Sequence, residues 1–480
     1  MTSSPQSRSA DDAARLHQDA EPKVRTGRRA ELVLLIAAVL IVTAAEAIVE
    51  ATRNGKISSH VLIYGGVALV VALVTHLVVV KTARFADPVL LPCVVLLNGL
   101  GLVMIHRLDL GLKQQAEEIG ATFGGNSAPT QMLWTAIGVA VFISVLVVVR
   151  DYRILARYAY TLALAALFFL ALPVVLPAHV SEVNGARIWI RVAGFSIQPG
   201  EFARLAMIIF ASAYLVSKRD VLSLAGRRIL GLELPRGRDM GPLVVVWLAS
   251  IVVLIRGRDL GTAFMFFAVF LVLIYVATER VSWVVIGLLM FAGGAWVSYQ
   301  LFSTLQTRVT VWLHAFEYKT DIGYQLTQSL FGLGTGGTFG TGLGGGRPEI
   351  VPVVKSDFIL AAFGEELGLF GLVAILAAYA LIIFRGLSAA LRVRDSFGKL
   401  LATGLSASIG LQLFVVMAGA TRLLPETGLT TPFLSYGGSS LVANYALLAL
   451  LMRISDAGRR PTRTESSARS APAEAVKVPA

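Results

Sequence analysis

Twelve apolar runs, each near the length that crosses about 30 Å of hydrocarbon, constrain this 480-residue chain more than any other feature. They fall at 32–50, 61–80, 88–105, 132–149, 158–176, 199–217, 242–255, 260–277, 281–300, 358–384, 400–418 and 439–453. In lipid every backbone N–H and C=O must be paired by protein, and a helix does this within one segment. Barrel strands would alternate apolar and polar residues, and these runs do not. Only 15% of residues are charged, against about 25% in soluble domains. The reading is an all-α polytopic integral membrane protein with about twelve transmembrane helices.

The net charge of +12 would suggest nucleic acid in a soluble chain. Here the basic residues sit in short segments between runs, where they set topology and meet anionic membrane lipid; no nucleic-acid partner is expected. With Lys23, Arg25, Arg28 and Arg29 in the cytoplasm, nearly every other basic cluster also falls inside, and both termini are cytoplasmic. Segments 106–131, 177–198, 301–357 and 419–438 then lie outside. The longest, 301–357, carries apolar and aromatic residues throughout, so it is expected to be ordered at the membrane surface. Residues 1–30 and 454–480 read as disordered tails, with Thr462 and Thr464 as accessible phosphorylation candidates, 31–87 as two helices beside a core, and 88–453 as the core. The first apolar run reads as a retained span rather than a signal peptide. The single Cys93 lies in an apolar run and reads as an inert thiol. No internal repeat supports an inverted-repeat transporter.

Five stretches could carry chemistry. Asp357 precedes an apolar helix. A helix cap and a general base fit that position about equally, with Lys355 nearby to hold it ionised. Glu365 and Glu366 interrupt the same apolar run. Two adjacent carboxylates in lipid require a polar cavity or a cation, or else a helix break that they cap. In 184–204, Pro199 suits a first helical turn and Glu201 can pair with Arg204 one turn later, with Gln198 beside them. Arg187 and Arg191 offer guanidinium forks that match phosphate. Arg256, Arg258 and Asp259 close a short run as a cavity wall or a local ion pair. In 421–444, Pro425, Pro432, Gly437 and Gly438 break helix beside the hydroxyls of Ser435 and Ser439. That segment suits a sugar or pyrophosphate ligand, or a tight re-entrant plug. No Walker loop, dinucleotide fingerprint or metal-spaced His or Cys cluster is present, which points away from ATP bound by this chain.

Together these stretches resemble the SEDS family, the shape, elongation, division and sporulation proteins of bacterial walls. The matching segments are 184–204 (NGARIWIRVAGFSIQPGEFAR), 258–263 (RDLGTA), 323–344, 356–368 (SDFILAAFGEELG) and 424–444, in family order over roughly 88–453. The chain looks most like the family's elongation branch in actinobacteria. The resemblance implies a membrane glycosyltransferase that polymerises lipid II outside the cell during elongation and shape maintenance, releasing undecaprenyl pyrophosphate, beside a class B penicillin-binding protein. Asp357 matches the family's catalytic Asp of its Asp-Phe motif, which deprotonates the acceptor sugar hydroxyl in a single inverting displacement. Substrate contacts are implied for Arg187, Arg191, Glu201, Arg204, Arg258, Asp259, Lys355, Ser435 and Ser439, and a structural or cavity role for Gln198, Pro199, Glu365, Glu366, Gly437 and Gly438. No cofactor is firm; a divalent cation (Mg2+ or Mn2+) is the one candidate, and its ligands are unknown. Lys355-Ser356 stand where the family often has His-Thr, and Ile188, Gly200 and Arg204 also depart from its pattern. A lipid II flippase and a non-catalytic scaffold for the penicillin-binding protein are the alternatives.

Overall fold

Long apolar stretches without interior turn chemistry form helices here, and they stop where Gly, Pro or charge intervenes. A computed structural model describes residues 26–122, 124–183, 186–192, 195–219, 228–229, 232–233 and 241–461. The helices are α1 (Arg28–Asn54), α2 (Ser59–Thr82), α3 (Leu90–Glu118), α4 (Ala128–Val148), the short α5 (Ile154–Arg157), α6 (Ala159–Val175), the short α7 (Ala178–Ser181), α8 (Pro199–Ser217), α9 (Gly241–Arg256), α10 (Leu260–Thr278), α11 (Val281–Leu301), α12 (Ser303–His314), α13 (Tyr324–Gly336), α14 (Ile359–Arg392), α15 (Ser396–Ala420) and α16 (Gly438–Arg459). Two antiparallel hairpins, β1–β2 (Glu182–Val183, Ala186–Arg187) and β3–β4 (Ile190–Val192, Phe195–Ile197), lead into α8, and a third, β5–β6 (Arg228–Ile229, Leu232–Glu233), follows it.

Ten of these helices are long and apolar enough to cross a membrane, and the apolar parts of α6 and α9 supply two shorter ones. The expected twelve runs are therefore all helical. Several run past their expected ends, and α14 continues to Arg392. Helix α3 continues to Glu118, so Arg107 and Asp109 are helical rather than looped, and α16 continues to Arg459. The tails expected to be disordered, 1–30 and 454–480, are instead helical at 28–30 and 454–459; residues 1–25 and 462–480, with Thr462 and Thr464, and most of the basic segment 218–238, lie outside the described residues. Helix α16 is the centre of the bundle and α11 its periphery: 94% of the first's apolar window is buried against 6% of the second's.

Charged residues fix which ends of the helices meet. Asp87 accepts from Arg459, lies 3.6 Å from Arg385 and donates its N–H to the Ser455 hydroxyl at 3.1 Å. Arg28 donates to the neighbouring Ala86 carbonyl. The start of α1, the end of α16 and the end of α14 thus share one end of the bundle. Asp357, just before α14, sits at the other: the neighbouring Lys355 reaches Asp109, roughly 30 Å along α3 from its start at 1.5 Å per residue.

The segment before α14 is ordered, as expected, but its glycines serve contact rather than flexibility. Helix α14 is broken at Gly368 (φ 66°, ψ −167°), which leaves backbone groups without helical partners. The glycine turns after α13 supply them. Thr341 and Gly342 donate to the Glu365 and Glu366 carbonyls at 3.0 and 2.9 Å, and Leu369 donates to Gly337 at 2.9 Å. A Cβ on Gly336 would lie 1.9 Å from the Gly364 carbonyl oxygen. Gly336→Ala is accordingly expected to destabilise the protein by about 1–3 kcal/mol, read as a lowered melting temperature in detergent; an unchanged melt would show that this contact is not needed.

Candidate active site

Three segments converge beside Asp357, and hydrogen bonds fasten them together. The turn 351–358 carries Asp357. Its Lys355 carbonyl accepts from the Tyr436 N–H at 2.8 Å, and its Ser356 carbonyl accepts from the Ser435 hydroxyl. The loop 421–437 is joined in turn to α12: Trp312 Nε1 donates to the Arg422 carbonyl at 3.1 Å, and Arg422 Nε to the Trp312 carbonyl at 2.7 Å. Helix α13 joins through the Ser329 hydroxyl, 3.2 Å from the Ala420 carbonyl. Val353, Arg422 and Phe433 take left-handed φ of 53°, 62° and 64° in these segments. A left-handed Val is a steric outlier, and such strain persists only where the surroundings impose it.

Asp357 does not cap α14. The cap position is Phe358, and no side chain bonds there. The carboxylate keeps some accessible surface, although protein surrounds it on nearly every side. Burial raises its pKa to about 6, opposed by the Ser356 hydroxyl and by Arg308. The expected cation was Lys355, but that ammonium turns away to Asp109 and, at 3.0 Å, to the Ser127 hydroxyl. Arg308 on α12 takes its place. The Gly428 turn (φ 72°) lies between the two groups: a Cβ there would stand 3.5 Å from Arg308 Nη2 and 3.8 Å from Asp357 Oδ2. Arg308 makes no hydrogen bond or close ion pair among the described residues. A second carboxylate, Glu426, belongs to the same junction and accepts from Gln325 Nε2 at 2.7 Å. Burial first, and then the Asp357 charge, raise its pKa to about 7.

The other expected site residues fall into separate groups. Arg187 and Arg191 lie exposed on the hairpins, and Arg187 pairs with Glu182 at 3.2 Å. Arg187, Gln198 and Asp259 line a solvent-open cleft of about 260 Å³ between α6, α8 and α9. Asp259 caps α10 through the Thr262 N–H at 2.9 Å, just after the left-handed Arg258 (φ 61°). Pro199 opens α8, and the Gln198 N–H donates to the Ser439 hydroxyl at 2.8 Å. Glu201 and Arg204 form a buried pair at 3.0 Å, and Arg204 also reaches Gln412 and Asn444. Ser435 and Ser439 thus spend their hydroxyls on backbone. Gly437 donates to Gln131 at 3.2 Å, and Gly438 closes on the Trp134 ring. Glu366 meets the fully buried Arg107, and Glu365 accepts the Arg347 N–H at 2.6 Å.

Arg308, Glu426, Gln325 and Arg107 escaped the sequence reading. Among the described residues one trio has metal-ligating side chains close together, Glu46, Glu50 and His106. It lies between α1 and α3. His106 turns Nδ1 to Glu46 at 2.6 Å and Nε2 towards Glu50 at 3.9 Å. The hydrogen bond to Glu46 and the looser approach to Glu50 tie α1 to α3.

Comparison with known proteins agrees with this architecture. Peptidoglycan glycosyltransferase RodA of Mycobacterium tuberculosis is 52% identical over 443 residues, 92% of this chain and 93% of that protein. The RodA of Mycobacterium leprae is 49% identical over the same shares. Both alignments are long enough to reach into the α1–α2 pair. A chain of a solved peptidoglycan synthase complex, described as coordinating polymerization and crosslinking, matches with a TM-score of 0.61 at 25% identity, over 77% of this chain and 97% of that one. The cell cycle protein profile covering FtsW, RodA and SpoVE matches residues 88–460, and the chain belongs to that family.

Proposed function

We propose that this chain is a peptidoglycan glycosyltransferase that polymerises lipid II into β-1,4-linked glycan during elongation, with Asp357 as the general base. The observation that carries this reading is the junction itself: a half-buried carboxylate faces an unbonded guanidinium across a glycine turn. Inverting glycosyl transfer from a lipid diphosphate calls for a base at the acceptor and positive charge for the leaving group. The base removes the proton of the acceptor 4-hydroxyl, and the oxygen attacks C1 of the donor sugar. The C1–O bond to the diphosphate breaks on the opposite face, so the negative charge develops on the far side of C1 from the base. Arg308 is the guanidinium suited to meet that charge. One base and one displacement give inversion at C1, which turns an α-linked donor into a β bond. The leaving diphosphate carries the energy of the reaction, in keeping with the lack of an ATP motif. Arg187 and Arg191 on the exposed hairpins are suited to phosphates of an approaching lipid.

Orientation follows from charge. Arg28, Arg385 and Arg459 gather at the end shared by both termini, and such clusters favour the cytoplasmic side. Asp357 then faces outward, where lipid-linked precursors are polymerised. The similarity to a synthase complex supports a crosslinking partner, in our reading a class B penicillin-binding protein.

The test is labelled lipid II supplied to the chain copurified with that partner. Glycan strands with β-1,4 linkage are expected, resistant to a transpeptidase inhibitor. A complex that assembles and yields no glycan would overturn the reading and leave a scaffold; translocation of lipid II in vesicles without polymerisation would leave a flippase.

A further inference from the structure

We propose that Glu426 is the proton acceptor behind Asp357: the proton lifted from the sugar hydroxyl passes from Asp357 to the Glu426 carboxylate and from there to water. The inference rests on the reading of Asp357 as the base and goes beyond it. The hydroxyl O–H bond breaks as the O–C1 bond forms, the electron pair of the C1–O bond leaves with the diphosphate, and the proton ends in solvent.

The need arises from the geometry. Asp357 keeps only part of its surface accessible. An acceptor sugar bound against that surface leaves the base little path to water. Glu426, two residues before the Gly428 turn that stands beside Asp357 Oδ2, is the neighbouring proton acceptor. Its loop is fastened to the Asp357 turn by the Ser435 and Tyr436 bonds and to α12 by the Trp312–Arg422 pair. The two carboxylates are therefore held in a fixed relation although 69 positions separate them. Gln325 on α13 donates to Oε1 of Glu426, which leaves Oε2 to receive a proton. Glu426 itself keeps part of its surface accessible.

The groups facing the pair are few. Arg308 approaches from α12 and Gln325 from α13. Lys355 is committed to Asp109, and Arg422 to the Trp312 and Leu313 carbonyls. His314, at the end of α12, pairs with Glu317 at 3.0 Å. Burial raises the pKa of both carboxyls into one range, and the Asp357 charge raises that of Glu426 further, so the pair can share one proton. The titrations of two such neighbours are coupled, and rates report the pair.

Initial polymerisation rates of the complex with its partner, measured from pH 5 to 8.5, test this. The wild type is expected to show two inflections on its acid side, near the values of Asp357 and Glu426. Glu426→Gln keeps an oxygen for Gln325 yet accepts no proton. The upper inflection should vanish and kcat fall several-fold, with KM for lipid II unchanged. Glu426→Asp should restore the upper inflection. Infrared titration of the substrate-free complex supplies a readout independent of turnover: a protonated-carboxyl band that titrates near pH 7 should disappear in Glu426→Gln. A Glu426→Gln enzyme with the wild-type profile and rate would overturn the relay. An Asp357→Asn complex that still polymerises would instead overturn the base assignment on which it stands.

Discussion

Replacing Asp357 with Asn is expected to lower glycan synthesis from lipid II by about 10²–10⁴-fold, the usual contribution of a general base, while assembly with the partner and the melting temperature stay at wild-type levels. The two halves of this expectation have separate physical grounds. Asn is nearly isosteric and can still accept from the Ser356 hydroxyl, but it cannot take a proton from an attacking alcohol. Stability should not suffer, because folding raises the Asp357 pKa to about 6, chiefly through burial. An acid whose proton affinity rises on folding favours the native state in its protonated form, so its ionised form contributes no stability at neutral pH that a neutral amide would forfeit. The same value sets the lower acid-side step of the wild type: the base works ionised, so the remaining activity is lost as pH drops through about 6. The measurement is labelled lipid II polymerisation alongside size-exclusion of the complex. Undiminished synthesis by a well-folded Asp357→Asn protein would remove Asp357 from the chemistry.

How much of this could be read from the chain depends on whether the signal is local. Apolar runs are local, so the twelve helices were legible, and so was the Glu201–Arg204 pair, one turn apart on α8. Asp357 stood out because ionisable residues are rare beside a span. Its partners did not, since they come from elsewhere in the chain. Lys355 is close in sequence, but the left-handed Val353 turn sends its ammonium to Asp109. Arg308 reads as an ordinary cation in a long connection until α12 brings it to the Gly428 turn. Glu426 looks like one loop acid among several. The glycine-rich stretch was expected to be ordered, but nothing local told what it packs against; its low side-chain volume lets two backbones touch where α14 breaks.

Arg107→Ala is expected to be the most destabilising single change, at about 3–5 kcal/mol, a large share of the 5–15 kcal/mol of an ordinary native state. Arg107 is fully buried, and its guanidinium meets Glu366, Glu349 and the Gly346 carbonyl. Arg53 reaches the same carbonyl at 2.7 Å and lies 3.8 Å from Glu349, too far to replace the lost bonds. Removing Arg107 would leave the fully buried Glu366 with only the Gly344 N–H at 2.9 Å, and the turns that complete the break in α14 would lose their central cross-link. Arg107→Lys retains charge but offers a single centre in place of a planar fork, so an intermediate loss is expected. Pairing Arg107→Met with Glu366→Gln should recover part of the damage, because the uncompensated carboxylate is then gone. Thermal melts of the purified proteins check all three. A double variant no better than Arg107→Ala would mean that the loss arises from packing around the guanidinium stem and not from the stranded charge.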